Sequence, residues 1–146
     1  MSGNAHANLI CATAGPEDRD AVVALWQACG LTRPWNDAFA DFDVALAGAA
    51  ATVLVLREAG RMIGSAMVGH DGHRGGLYYL AVDPARQGEG LGRRMMAAVE
   101  DWLRAQGVPK LNLMVRKENE TVLGFYAALG YADNQCVSLG KRLDEA

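Results

Sequence analysis

Two β-rich runs, Thr52 to Glu58 and Arg61 to Gly69, meet at Ala59-Gly60. The pattern predicts two strands joined by a tight hairpin, because glycine supplies the turn geometry. The turn His70 to Gly76 leads into a third apolar run, Leu77 to Val82, so an antiparallel meander is expected. Helical patterns surround it. Val22, Leu25, Trp26 and Cys29 fall on one helical face. That helix starts near Ala14 to Asp18, where Pro16 fits the first turn and acidic residues suit the dipole, and Gly30 ends it. A second helix is predicted from about Ala38 to Ala47, with Phe39, Phe42 and Leu46 on one side. A third carries Leu91, Met95, Ala98 and Trp102 as a stripe and runs to about Ala105. Asn119 is a good N-cap for a fourth, bearing Val122, Tyr126 and Leu129 and closed by Gly130. Further strands are expected at Asn8 to Ala12, Lys110 to Val115 and Val137 to Leu143, with one more short strand near Tyr131. The order is β-α-α-β-β-β-α-β-α-β, a mixed α/β (α+β) chain.

Composition narrows the class. A chain of 146 residues suits one domain and can bury about 70% of its unfolded surface. It is 51% hydrophobic and 21% charged, ordinary for a globular protein. A net charge of −3 gives no case for an electrostatic nucleic-acid binder. The apolar stretch Val44 to Leu56 is too short to span a bilayer and contains Gly48, so it reads as a helix end running into a buried strand, and no membrane partner is expected. Met1 to Asn8 has neither the basic nor the apolar region of a signal peptide. Cys11, Cys29 and Cys136 have no C-x-x-C spacing and read as small reduced core residues of a cytoplasmic protein. His70 and His73 lack a third ligand at metal spacing, so no metal is assigned.

Chemistry concentrates after the third run, in Asp83-Pro84-Ala85-Arg86-Gln87-Gly88-Glu89-Gly90-Leu91-Gly92-Arg93-Arg94. Glycines recur at every second position where strand becomes helix. Glycine takes positive φ and lets a ligand approach the backbone. A helix start offers unpaired N–H groups and the positive end of a dipole. Together they suit a phosphate or pyrophosphate. The stretch is not a P-loop, for no Gly-Lys-Ser/Thr occurs. Nor is it a Rossmann fingerprint, because Gly92 comes one residue early and the loop follows a meander.

Gln87-Gly88-Glu89-Gly90-Leu91-Gly92 resembles the acetyl-CoA loop of the GNAT acetyltransferase superfamily, [Gln/Arg]-x-x-Gly-x-[Gly/Ala]. Leu80-Ala81-Val82-Asp83-Pro84 looks like that family's fourth strand and the turn leaving it. Asn119 followed by Phe125-Tyr126-Ala127-Ala128-Leu129-Gly130-Tyr131 is similar to a second family segment. The chain also resembles a small, poorly characterised bacterial acetyltransferase group that carries the same Arg33-Pro34-Trp35-Asn36-Asp37 and the turn Asp71 to Gly75. That likeness brings no substrate. The resemblance implies a single domain over residues 1–146, with a mixed, mostly antiparallel sheet of six to seven strands and about four flanking helices.

It further implies direct transfer of an acetyl group from acetyl-CoA to a small amine or a peptide N-terminus. The pantetheine arm would lie along Leu80 and Val82. The pyrophosphate would sit on N–H groups from Gln87 through Gly88, Glu89, Gly90, Leu91 and Gly92 to Arg93, with Arg86, Arg93 and Arg94 as added charges. A backbone N–H near Ala81 would face the carbonyl oxygen. Tyr126 would be the general acid, since a phenol with a pKa near 10 keeps its proton at neutral pH; a core aromatic is the structural alternative. Asn119 would contact the cofactor or simply cap its helix. Many family members carry a carboxylate base on the fourth strand, and Leu77 to Val82 has none. His73, Asp71, Asp37, Glu118 or a water chain remain, of which a neutral His73 can serve directly. The acceptor would meet Trp35, Asn36 and Asp37, unless Trp35 packs on the sheet and Asp37 caps the second helix. A protein N-terminal acetyltransferase and a non-catalytic CoA-binding regulatory module are the other readings. The last strand and the Met95-Met96 helix are candidate homodimer contacts, although both methionines are more simply core and flank.

Overall fold

Five strands, β1 (Leu9–Thr13), β2 (Ala51–Glu58), β3 (Arg61–His70), β4 (Gly75–Val82) and β5 (Leu111–Asn112), form one sheet in that order. The computed structural model describes residues 8–144. The stretch read above for a signal pattern lies, apart from Asn8, outside the described residues. All pairings are antiparallel except β4 with β5. The expected hairpin turn is present: Ala59 and Gly60 have φ of 49° and 84°. Positive φ at both central residues lets a two-residue loop follow the strand twist.

Both faces of the sheet are covered, which is why β2 is buried from Val53 through Leu56. Val53 and Val55 join one core with Val22, Val23 and Trp26 of α1 (Arg19–Ala28) and Phe42 of α2 (Ala38–Ala47). Their alternating neighbours face the other way. There α3 (Leu91–Ala105) presses Met95 to 3.3 Å from the position a Cβ would take on Gly64. Leu103 of α3 likewise comes within 2.7 Å of a Cβ built on Gly75. These two glycines let the helix sit close to β3 and β4.

The described chain divides into two compact units between Leu113 and Met114. The first holds the sheet and α1 to α3. The second contains α4 (Glu120–Ala128), which the Asn119 side chain caps by accepting from the Val122 N–H at 3.2 Å. Its far end is a Schellman closure: Gly130 has φ 96°, and the Tyr131 and Gly130 N–H groups donate to the carbonyls of Tyr126 and Ala127, each at 3.0 Å.

Four expectations are corrected. The sheet has five strands among the described residues, not six to seven. Lys110 to Val115 forms a strand only at Leu111–Asn112, because pairing stops after Gly75 with Leu111 and Gly76 with Asn112. Val137 to Leu143 and the region near Tyr131 form no strand; Val137, Leu139 and Leu143 are more than 80% exposed. Their alternation suits a strand, but a strand needs a partner edge for its N–H and C=O groups. The cysteines are not core residues either. Cys11 and Cys136 are exposed, and Cys29 is half-buried with its thiol donating to the Val82 carbonyl at 3.2 Å. Among the described residues no helix is long and apolar enough to cross a membrane.

Candidate active site

The loop after β4 is rigid by construction. The Asp83 carboxylate accepts from the Ala85 N–H at 2.9 Å and from Arg61 at 3.2 Å. It thereby starts a short 3-10 turn over Pro84–Arg86. Gly88 and Gly90 then take φ of 82° and 79°. Gly90 is the N-cap of α3, and no side chain caps that helix. A side chain at Gly90 would be strained, since the left-handed region costs an L-residue about 1–2 kcal/mol. The first-turn N–H groups of a helix have no partner within it. Nothing lies within 4 Å of a Cβ placed on Gly88 or Gly90, so the approach to this backbone is open.

Arg86 differs from expectation. Its guanidinium bonds both Glu58 oxygens, at 2.8 and 3.1 Å, and both Glu89 oxygens, at 2.9 Å each. It ties the loop to the end of β2, and its charge is met within the protein rather than kept for a ligand. Gln87 and Glu89 are exposed, and Arg93 and Arg94 stand exposed on the first turn of α3, around the half-buried Gly92 and the buried Leu91.

The end of β4 carries a bulge. Met67 of β3 pairs with Tyr78 and Ser65 pairs with Ala81, so Tyr79 and Leu80 together face Ala66. Tyr79 takes φ 56°, a conformation that costs a non-glycine residue about 1–3 kcal/mol. Its side chain offsets this on both sides. The ring stacks on Trp26 of α1 at 4.0 Å with an 8° interplanar angle. The hydroxyl donates to Asp41 Oδ2 of α2 at 2.7 Å. Burial, then the Asp41 bond and charge, push the Tyr79 phenol up to about 12. Ala81 is buried at 2% exposure, while Leu80 and Val82 flank it half-buried. No β5 residue pairs with β4 beyond Gly76.

Beside the bulge lies a cleft of about 650 Å³, within the range of small-molecule sites. Asn36, Asp41, Val44, Met67, Tyr78 and Tyr79 are among its lining residues. Of the expected acceptor residues only Asn36 lines it. Asp37 caps α2, accepting from the Ala40 N–H at 3.1 Å. Trp35 is 57% exposed and is not among the residues that line the cleft.

His73 is displaced from the bulge. It sits in the turn before β4, and the six residue steps from Gly75 to Ala81 extend about 20 Å along a strand. A base must reach its proton within hydrogen-bond distance or through one water, so His73 does not serve the Ala81 end. Its neighbour Asp71 organises that turn, accepting from the His73 and Arg74 N–H groups at 2.8 Å each. Those amides, Arg74 foremost, hold the Asp71 carboxyl below its usual range.

Within the second unit, Tyr126 is buried at 8% exposure and its ring meets Tyr131 edge-on at 5.6 Å. This contact accompanies the Schellman closure and accounts structurally for the spacing Tyr126 to Gly130-Tyr131. Burial pushes the Tyr126 phenol up to about 12.

Asp41 and Tyr79 are site residues that the sequence motifs do not mark. One signal was available. In α2, Ala38, Phe42 and Ala45 are buried, and Asp41 lies three residues after the first and four before the last. A carboxylate on the core-facing stripe of a helix needs a partner.

Known proteins resemble both the sequence and the fold. The model of the acetyltransferase (GNAT) family matches residues 18–131. An acetyltransferase of Pectobacterium atrosepticum is 43% identical over 129 residues, covering 88% of this chain and 92% of the relative. Among solved structures, the aminoglycoside acetyltransferase AAC(6')-Iy in complex with a CoA-containing bisubstrate analogue superimposes with a TM-score of 0.79 at 18% identity, over 92% of this chain and 97% of that one. An acetyltransferase of Clostridium acetobutylicum solved with acetyl-CoA gives 0.73 at 16% identity, over 90% and 96%. At those identities the structures speak for the fold. The family match spans most of the chain, from the first turn of α1 to Tyr131, and with the 43% relative it establishes that the chain belongs to the acetyltransferase (GNAT) family.

Proposed function

We propose that the chain transfers an acetyl group from acetyl-CoA to a primary amine, by direct attack of the amine in a ternary complex. The observation that carries this reading is the glycine-built start of α3, with no side-chain cap, beside the end of β4 that pairs with β3 but not with β5. Residues 1–146 act as one acetyltransferase domain, a reading supported by the family model running across the division at Leu113. A cytoplasmic location fits the use of acetyl-CoA.

The roles follow from what each group offers. The N–H groups from Gln87 through Gly88, Glu89, Gly90, Leu91 and Gly92 to Arg93 bind the pyrophosphate, as an anion suits a helix start. Arg93 supplies charge from the same turn. Leu80 and Val82 offer backbone groups to the pantetheine arm. A backbone N–H near Ala81 faces the carbonyl oxygen, where negative charge grows as the amine attacks. Tyr126 gives its proton to the departing sulfur, and its raised pKa keeps that proton in place at neutral pH. Asn119 caps α4 through its carbonyl oxygen, leaving its NH2 group to donate to the cofactor.

Acetyl-CoA supplies an activated thioester. The N–C bond forms and the C–S bond breaks. The acceptor ammonium loses two protons: one reaches solvent through water, and the other replaces in net terms the proton that Tyr126 gives to sulfur. A cleft of small-molecule size favours a small amine over a protein N-terminus as acceptor. Free-thiol release across a panel of primary amines, with both substrates varied, tests the reading. Intersecting double-reciprocal lines are expected. Parallel lines would replace direct attack with an acyl-enzyme. Binding of acetyl-CoA without thiol release would make the chain a binding module.

A further inference from the structure

We infer that Asp41 anchors the acceptor's ammonium and that the acceptor is a small monoamine with an apolar body. This rests on the acetyltransferase reading and names the substrate class of that same site.

The cleft walls are mostly apolar: Leu31, Val44, Met67 and Val68 line it, and Asp41 is the one carboxylate among its lining residues. No Lys, Arg or His lines it. The Asp41 carboxylate takes the Tyr79 hydroxyl proton on Oδ2 at 2.7 Å. A carboxylate offers about four acceptor sites, so Oδ1 and part of Oδ2 remain for a ligand. Among the described residues no cation pairs with Asp41. A half-buried negative charge beside apolar walls is costly unless a cation meets it.

Tyr79 fixes where that charge points. It is clamped by Trp26, and its positive φ belongs to the bulge that precedes Ala81. Asp41 is thereby referred to the end of β4, where a backbone N–H near Ala81 is proposed to meet the thioester oxygen. Tyr79 is a positioning residue and Asp41 a binding one. One carboxylate can neutralise one ammonium. The further ammonium groups and hydroxyls of an aminoglycoside would face apolar side chains such as Leu31, Val44 and Met67, at the cost of burying poorly satisfied polar groups. The apolar walls favour an alkyl or aromatic body instead.

The test uses the full chain with saturating acetyl-CoA and 2-phenylethylamine, hexylamine, sisomicin and a free-N-terminal peptide as acceptors. The two monoamines should exceed sisomicin and the peptide in kcat/KM by about 100-fold. In the unmodified chain, 2-phenylethylamine should bind about 10-fold more tightly than its neutral analogue 2-phenylethanol. Asp41→Asn keeps the shape and an acceptor for Tyr79 but removes the charge. It should raise KM for 2-phenylethylamine about 10- to 100-fold while inhibition by 2-phenylethanol changes less than about twofold. A preference for sisomicin or the peptide overturns the inference. So does equal binding of amine and alcohol by the unmodified chain, or an equal loss of both in the variant. Stabilisation by acetyl-CoA, measured in the same samples, separates the two levels: without it in the unmodified chain the donor reading fails and takes this inference with it, whereas with it only the acceptor class is at stake.

Discussion

Between Asp83 and Arg93 the chain builds its proposed donor site from its own backbone in one short stretch, whereas the proposed acceptor cleft takes Asn36 from a loop, Asp41 from a helix, Met67 from β3 and Tyr79 from β4. The first depends on φ angles and unpaired N–H groups, and side chains serve mainly to hold it. The second depends on side chains that meet only because the sheet and helices are already packed. Backbone sites tolerate side-chain exchange but fail when the backbone is forced. Side-chain sites fail one group at a time. The two regions should therefore answer to different substitutions.

The largest effect is expected from Gly90→Val. A β-branched residue at φ 79° must distort the N-cap or leave it. Binding of acetyl-CoA, read by calorimetry, should fall at least about 100-fold while the fold persists by circular dichroism. Intact binding would mean that the loop is not the donor site. Next comes Tyr126→Phe, which should lower kcat about 100- to 1000-fold with little change in either KM. An unchanged kcat would leave Tyr126 as the core aromatic that its contact with Tyr131 already explains.

The contrast also explains what was legible beforehand. Gly88, Gly90, Asn119 and Gly130 act on neighbours within a few residues, so their spacing alone announced the loop, the cap and the helix end. The meander and α2 were equally readable, for alternation and helical spacing are local properties. Val137 to Leu143 has the alternation of a strand, yet alternation names a face and not the edge it would pair with. His73 has the chemistry of a base, and only the length of β4 shows how far it stands from Ala81. Asp41 is not legible in the sequence because its meaning comes from Tyr79, 38 residues away.

Smaller effects separate the regions further. Tyr79→Phe should cost about 1 kcal/mol of stability and raise KM for the amine a few-fold, leaving acetyl-CoA affinity unchanged. Alkaline titration offers a related check. Tyr79 and Tyr126 hold their protons to about 12 in the folded chain, against 10 as the ordinary value. Below pH 10 both states are protonated and neither tyrosine changes stability with pH. Above it the unfolded chain loses protons that the folded chain keeps, so stability falls as pH rises from about 10 to about 12. Urea midpoints through that window should drop less steeply in Tyr126→Phe. The smallest effect is expected from Trp35→Ala. With Trp35 57% exposed and outside the cleft, stability should move by less than about 0.5 kcal/mol and KM for the amine by less than about twofold.

The central claim is that the start of α3 binds acetyl-CoA, and thermal unfolding with and without this ligand tests it most directly. A ligand that binds only the folded state at about 100 times its Kd adds about 2.7 kcal/mol. For a chain of this size that corresponds to a rise in Tm of about 6 to 10 °C. The account predicts such a rise in the unmodified protein and its loss in Gly90→Val; an unchanged Tm in the unmodified protein at saturating acetyl-CoA would contradict it.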